Sequence, residues 1–442
     1  MPTNDTGFFG HPRGLSTLFF TEMWERFSYY GMRAFLILYM VHVLKFDDRH
    51  AGSVYGTYTA SVWAAAIIGG IIADRWLGQY KSVLYGGIII MLGHFTLALH
   101  PLPAFYTGLA LIVIGTGLLK PNVSGIVGSL YETDDTRRDA GFSIFYMGIN
   151  LGAALGPFIA GYLAQRVDWH LGFACAGVGM AFGVIQYVRG RKHLQPAVER
   201  LERQGSSQTT VGAACGRPND EPTFWGFTPV EWKRLGAMAI FFVFAAVFWG
   251  AYEQAGSTLN LFADRYTQTS ILGFTFPSSW FLTIQAIFVI LLSPIFAWLW
   301  TALGHREPST PAKFAFGLFF IGASFLFLLI PAFHLEAAPA IRVSPFWLIG
   351  CYFIQELGEL CISPVGLSVF TKLSPVKIVG SMLGVWFLAD SVGNKVAGFA
   401  AGFISSAPLP RLFGVIAAVC LVASAVAFVM IRPVRGLMGG VK

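Results

Sequence analysis

The chain has 442 residues, of which 55% are hydrophobic and only 12% charged, and its formal net charge is +7. Apolar stretches near twenty residues recur along its length, which excludes a soluble domain and reads as a polytopic α-helical membrane protein. The excess positive charge requires no nucleic-acid partner, because the side preference of basic residues in membrane proteins accounts for it.

Twelve spans are expected, at about 15–42, 51–73, 82–100, 104–130, 140–164, 170–189, 232–262, 278–303, 312–334, 343–370, 378–405 and 411–431. The first is unusual. Glu22, Glu25, Arg26, Tyr29, Tyr30 and Arg33 fall on one stripe of a helix, while Met23, Trp24, Phe27 and Leu36 cover much of the remainder. A central Asp, Lys or Arg costs about 2.5 to 3.5 kcal/mol on insertion scales. Two Glu and two Arg left against lipid would therefore cost on the order of 10 kcal/mol, so the stripe faces protein or a watery cavity. The same charges rule out a cleavable signal sequence, whose core is continuously apolar.

With the N-terminus taken as cytoplasmic, twenty Lys and Arg fall on that side and six on the other, with Arg26, Arg33, Lys120 and Lys395 inside the membrane. Both termini are thus expected in the cytoplasm. The five cysteines, Cys175, Cys215, Cys351, Cys361 and Cys420, lack metal-ligand spacing and read as small buried hydrophobes, so no metal is expected.

Residues 190–229 break the pattern with a polar stretch rich in Gly, Pro and Ser. Three parts follow: an N-terminal six-helix bundle over 1–190, a cytoplasmic linker over 191–229 that begins with a short surface helix at 194–204, and a C-terminal six-helix bundle over 230–442. This layout is similar to the major facilitator fold, two pseudosymmetric bundles around a central cavity. The loop GGIIADRWLGQYK, with Gly70, Asp74, Arg75, Gly78 and Lys81, resembles the GxxxDRxGRR motif of that superfamily. The resemblance implies a gating role for Asp74 and Arg75; an ordinary charged loop at a membrane surface is the alternative.

Three further segments point to one family. EMWERFSYYGMR in the first span resembles the ExxERFxYY motif of proton-dependent oligopeptide transporters and meets every specified position. FSIFYMGINLGAA in the fifth span resembles that family's FYxxINxG element through Phe145, Tyr146, Ile149, Asn150 and Gly152, with Ala154 a slight departure. GTGLLKPNVSG, FWGAYEQ and GELCISPVGLS extend the likeness along nearly the whole chain. The resemblance implies proton-coupled uptake of di- and tripeptides at the inner membrane by alternating access, driven by the proton gradient without a cofactor, with peptides, protons and the bilayer as partners.

A short peptide is a zwitterion, and its carrier needs a cation for the carboxylate and an acid for the ammonium. Arg33 and Lys120 suit the carboxylate, Arg through its bidentate fork. Glu359, Asn150 and Gln285 suit the amino end, and Tyr29, Tyr30, Tyr146, Trp249 and Trp386 suit variable side chains. By family resemblance Glu253 is the first choice for a proton site, followed by Glu22 and Glu25, whose proton affinity depends on where Arg26 is engaged. Lys120 and Glu359 are also counted among the gating residues. Each has a plainer reading: a static salt-bridge lock for the first-span charges, a snorkelling side chain for Lys120 beside Pro121, a structural role for Glu253 and Glu359.

Asp390 and Lys395 flank Asn394 as either a local ion pair or part of a relay. Asp48, Arg49, Asp264 and Arg265 are candidates for an outer gate, with surface coincidence as the alternative. Gln285 and Trp63 stand where many family members have Asn and Tyr, which leaves open another cargo such as an amino acid, nitrate or a peptide-like drug. The absence of nucleophile and metal motifs argues against an enzyme, and the absence of an appended domain against a sensor.

Overall fold

The computed structural model describes residues 7–132, 135, 137–211, 227–338, 340–375 and 378–439. It is almost entirely helical, with α1 Arg13–His42, α2 Asp48–Ile72, α3 Gln79–Leu97, α4 Leu102–Ser129, α5 Arg138–Arg166, α6 Trp169–Arg189, α7 Arg191–Val211, α8 Pro229–Tyr252, α9 Thr258–Tyr266, α10 Trp280–Leu303, α11 Thr310–Ala337, α12 Phe346–Leu373, α13 Val379–Ala401 and α14 Leu409–Leu437. Among the described residues nine helical segments are long and apolar enough to cross a membrane. Helix α1 is not one of them, as its four buried charges foretell. The chain is a multi-pass membrane protein whose helices run in the order expected of the major facilitator fold.

Two compact units emerge from the packing. The first comprises residues 1–35 and 64–220, the second residues 36–63 and 221–442. In the first unit, Leu15 and Leu18 of α1 meet Val83 and Ile90 of α3 and Leu119, Val123 and Ile126 of α4 in one apolar core. Helix α5 joins α1 through glycine. A Cβ placed on Gly152 would lie 2.2 Å from the Met23 carbonyl oxygen and 3.0 Å from Arg26 Cβ, so the two backbones touch where the charged stripe begins. Small residues at such crossings let helices approach closely enough for backbone contact.

The linker helix is longer than expected. It runs over Arg191–Val211 rather than 194–204, and Leu194 and Ala197 bury into the core of the first unit. Residues 212–226, including Cys215, lie outside the described residues. Cys351, Cys361 and Cys420 are buried and Cys175 partly so, all as free thiols.

Ahead of α1, the segment at 7–11 folds back on the α4–α5 connection. His11 Nδ1 lies 2.9 Å from the Tyr131 hydroxyl, and Arg137 donates to the Gly10 carbonyl at 3.1 Å while pairing with Asp135. Burial, reinforced by Arg137, holds the His11 imidazole below its ordinary titration range. The Tyr131 phenol is pushed up to about 12 by burial.

In the second unit the seventh span departs from the expected continuous helix over 232–262. Helix α8 starts on a reciprocal cap, with Thr228 N–H donating to Glu231 Oε2 at 2.7 Å and Glu231 N–H to Thr228 Oγ1 at 3.3 Å. It ends at Tyr252, a 3₁₀ turn covers Glu253–Gly256, and α9 resumes at Thr258. The polar run Glu-Gln-Ala-Gly-Ser causes the break. Gln254 Nε2 donates to the Gly250 carbonyl at 3.0 Å and Ser257 Oγ to the Ala397 carbonyl at 3.3 Å, so side chains compete for backbone groups there. The hairpin formed by the end of α1 and the start of α2 belongs to this unit. A Cβ on Gly398 of α13 would stand 2.4 Å from the Gly52 carbonyl, which makes glycine obligatory at that crossing.

Candidate functional site

On α1, Glu22 and Arg26 stand one turn apart, with Arg26 Nε 3.2 Å from Glu22 Oε1. The same Nε also pairs with Glu25. All three side chains are at most 3% exposed. Glu22 Oε2, Glu25 Oε1 and Arg26 Nη2 find no hydrogen-bond partner among the described residues. One guanidinium thus serves two buried carboxylates and still has capacity to spare. Its carbon lies 5.3 Å from the Tyr29 ring centroid and 5.9 Å from that of Tyr30, and the guanidinium carbon of Arg33 is also 5.9 Å from the Tyr30 centroid. The stripe predicted from helical periodicity is therefore a contiguous network of charge and aromatic faces within the first unit.

Three more expected residues share that unit. Lys120, half-buried on α4, lies within electrostatic reach of Glu22. Asn150 on α5 is buried and turns its amide to the Tyr146 carbonyl at 3.0 Å. Tyr146 is 40% exposed, the one open aromatic surface among the expected set in this unit. Asp74 and Arg75 lie apart from these, exposed on a five-residue π-helical turn, Ala73–Leu77, that closes α2. Gly78 ends that turn with φ +73°, a backbone value that favours glycine.

The second unit holds the others. Glu253 is buried at the first position of the 3₁₀ turn, so it occupies a helix break and not the interior of an apolar helix. On α12, Glu359 is 6% exposed and its Oε2 has no hydrogen-bond partner among the described residues. Trp249 contacts Phe248 and Tyr252 edge-on, at 5.3 Å in both cases. Trp386 packs against Phe370 at 5.3 Å and Phe314 at 6.3 Å, inside the core of its own unit. Gln285 on α10 is buried beside Glu356.

Glu356 was not anticipated. It is fully buried one turn before Glu359, and its Oε1 accepts from the Tyr252 hydroxyl at 3.0 Å. The signal was present as two acids three apart in QELGEL, which places both on one helix face.

The outer candidates resolve into two pairs within the second unit. Arg265 donates to Asp48 at two points, Nη1 at 2.8 Å and Nη2 at 2.5 Å, and its Nη1 also lies 2.8 Å from Ser405 Oγ. Asp264 instead meets His42 Nε2 at 2.7 Å. Arg49 takes no part in either pair. Farther along, Asp390 accepts from Asn394 Nδ2 at 2.7 Å, whereas Lys395 donates to Thr57 Oγ1 at 2.6 Å. Trp63 stacks on Phe387 with centroids 5.8 Å apart.

A multi-pass helical fold that keeps acids and bases buried on its spans defines a membrane transporter and not an enzyme. The chain belongs to the POT family, whose model matches residues 80–210 and 228–419. It is 41% identical to the uncharacterized transporter YclF of Bacillus subtilis, over 98% of this chain and 96% of that one. It is 37% identical to the peptide transporter YePEPT of Yersinia enterocolitica, over 99% and 98%. A crystal structure of the peptide transporter POT in complex with sulfate superposes with a TM-score of 0.87 at 40% identity, covering 98% of this chain and 97% of that one.

Proposed function

We propose that this transporter carries di- and tripeptides into the cell together with protons by alternating access, in the cytoplasmic membrane with both termini inside. The observation that carries the coupled reading is Arg26 held between Glu22 and Glu25 with no water-exposed alternative. A proton delivered to either acid removes one of the two anions that hold the guanidinium, so protonation and side-chain engagement are tied together. Glu253 at the break of the seventh span is the first candidate for the proton itself, on family grounds.

Peptide as cargo is supported by the names of two similar proteins, a peptide transporter in each case, and by the chemistry available. Arg33 and Lys120 offer cations suited to a carboxylate, and Glu359 offers an acid suited to an ammonium, with one oxygen that has no hydrogen-bond partner among the described residues. The proton gradient is the only driving force this scheme needs, and no cofactor enters it. An inward orientation of the basic residues, twenty against six, supports the cytoplasmic termini.

The test is uptake of labelled dialanine by proteoliposomes with an acid-outside gradient. Accumulation above equilibrium that collapses with a protonophore is the expected result. Uptake indifferent to the gradient removes symport; gradient-driven uptake of an amino acid or nitrate, but not of dialanine, replaces the cargo.

A further inference from the structure

The second unit carries a groove of about 910 Å³ on its flank, apart from the residues proposed to bind peptide or protons. Helix α8 packs on both α13 and α14, which make little direct contact with each other, and so forms the floor of a channel walled by those two helices. The floor is lined by small residues, Ala246, Gly250 and Ala251, while Val396 and Phe399 stand on one wall and Val415 and Val419 on the other. These four wall residues are exposed. Gln254, at the floor, has its amide engaged by Gly250 and Thr258 and presents no free polar group to the channel.

One end of the groove is different. Arg49, at the start of α2, and Arg411, in the first turn of α14, both line it. Neither side chain makes a hydrogen bond or an ion pair with any described residue, although Asp48 beside Arg49 is engaged by Arg265 and Ser405. The backbone of Arg49 lies against Gly402 at the end of α13, which fixes its position at the groove mouth. From Pro408 to Cys420 the groove follows α14 for about 18 Å at 1.5 Å per residue. The hydrocarbon depth of a single leaflet is about 15 Å, half of a core near 30 Å.

We propose that this groove is a specific site for an anionic phospholipid, with an acyl chain lying along α8 between α13 and α14 and the phosphate held by Arg49 and Arg411. Three features select this occupant over a partner helix. The mouth carries two cations whose side chains have no counterion among the described residues, where a phosphodiester supplies oxygens for both guanidinium forks. The length matches one chain in one leaflet. The apolar bed ends where the charges begin, as the lipid itself does.

The experiment uses the full chain in detergent micelles and counts bound molecules by native mass spectrometry during titration with palmitoyl-oleoyl phosphatidylglycerol, phosphatidylcholine with the same chains, or glycerol phosphate. Retention of phosphatidylglycerol about thirtyfold tighter than phosphatidylcholine is expected, since each of the two basic residues near a membrane surface contributes about 1 kcal/mol toward anionic lipid. Glycerol phosphate, lacking the chain, is not retained. The double variant Arg49→Gln, Arg411→Gln brings phosphatidylglycerol down to the phosphatidylcholine level. Val396→Trp, which fills the bed, weakens both lipids; Val419→Trp on the opposite wall repeats the test should the first variant not fold. Equal retention of the two lipids by the unaltered protein overturns the proposal, as does a double variant that keeps the preference. Glycerol phosphate bound as tightly as lipid, or wall variants that retain both lipids unchanged, overturns it as well.

Discussion

Asp48 and Arg265 lie 217 residues apart in the chain and form a two-point ion pair with both side chains largely shielded from solvent. Charge-assisted hydrogen bonds of this kind contribute about 1.5 to 3 kcal/mol each when partly buried. Asp48→Asn is expected to lower the thermal midpoint of the purified protein by several degrees, and Arg265→Gln to do the same. In a double-mutant cycle the second change should add little to the first. Additive losses would mean that the two residues act separately.

Arg26 is the sole cation bonded to Glu22 and Glu25 in the structure described, and both acids are shut away from water. Removing one partner of a buried ionic group costs about 3 to 5 kcal/mol, because the remaining charges stay desolvated. Arg26→Gln should therefore yield poorly folded protein, detected as aggregation in size-exclusion chromatography. Adding Glu25→Gln in the same chain should restore much of the monodisperse yield while transport stays lost. Folding that tolerates Arg26→Gln alone would place the cluster in water.

Gly152 tests the packing on which that cluster rests. Alanine there drives a methyl group to 2.2 Å from the Met23 carbonyl, and overpacking of this kind costs about 1 to 3 kcal/mol. Gly152→Ala is expected to lower both the thermal midpoint and the uptake rate, whereas Ala154→Gly, two residues on, should leave uptake within about twofold.

Glu253→Gln should abolish gradient-driven accumulation of dialanine while counterflow exchange survives, since exchange needs the cargo site but not net proton movement. Measured side by side in the same vesicles, persistence of both activities would remove Glu253 as the coupling acid.

The His11 contact predicts a pH dependence. Its imidazole is held below the ordinary range by burial and by Arg137, so the unfolded chain binds the proton more tightly than the folded one. The stability it contributes is complete above about pH 6.5 and is lost as pH falls through the folded value. Asp135, lowered to about 2 chiefly by its hydrogen bond to Arg137, does not change charge in this window. The thermal midpoint should thus drop between pH 7.5 and 5.5 in the native protein, and by less in His11→Gln.

The architecture was legible because a bilayer tolerates so few sequences. Charges on α1 could only be kept if the helix turned them inward, and periodicity alone located Glu22, Glu25 and Arg26 on one face. Breaks inside apolar stretches were harder to see. The flanks of Glu253 are so hydrophobic that helical continuity looked safe, although Gln254 and Ser257 hold the hydrogen-bonding groups that interrupt it. Glu356 carries no sequence signal beyond its spacing from Glu359, because the partners that bury it, Tyr252 and Gln285, come from helices far off in the chain. Pairings such as Asp48 with Arg265 were visible only as complementary types. Which of the two acids and two arginines would meet depended on side-chain reach across helix ends, with His42 claiming Asp264.

Helix α9 has nine residues, with the 3₁₀ turn that carries Glu253 just before its first residue and Arg265 near its last. It is in effect a short lever: a tilt of about ten degrees at the 3₁₀ joint displaces the tip by roughly 2 Å over a rod of about 13 Å. Such a stroke would be enough to pull a guanidinium out of hydrogen-bonding range of its carboxylate, so a change of backbone angle at the joint would be felt at the clasp.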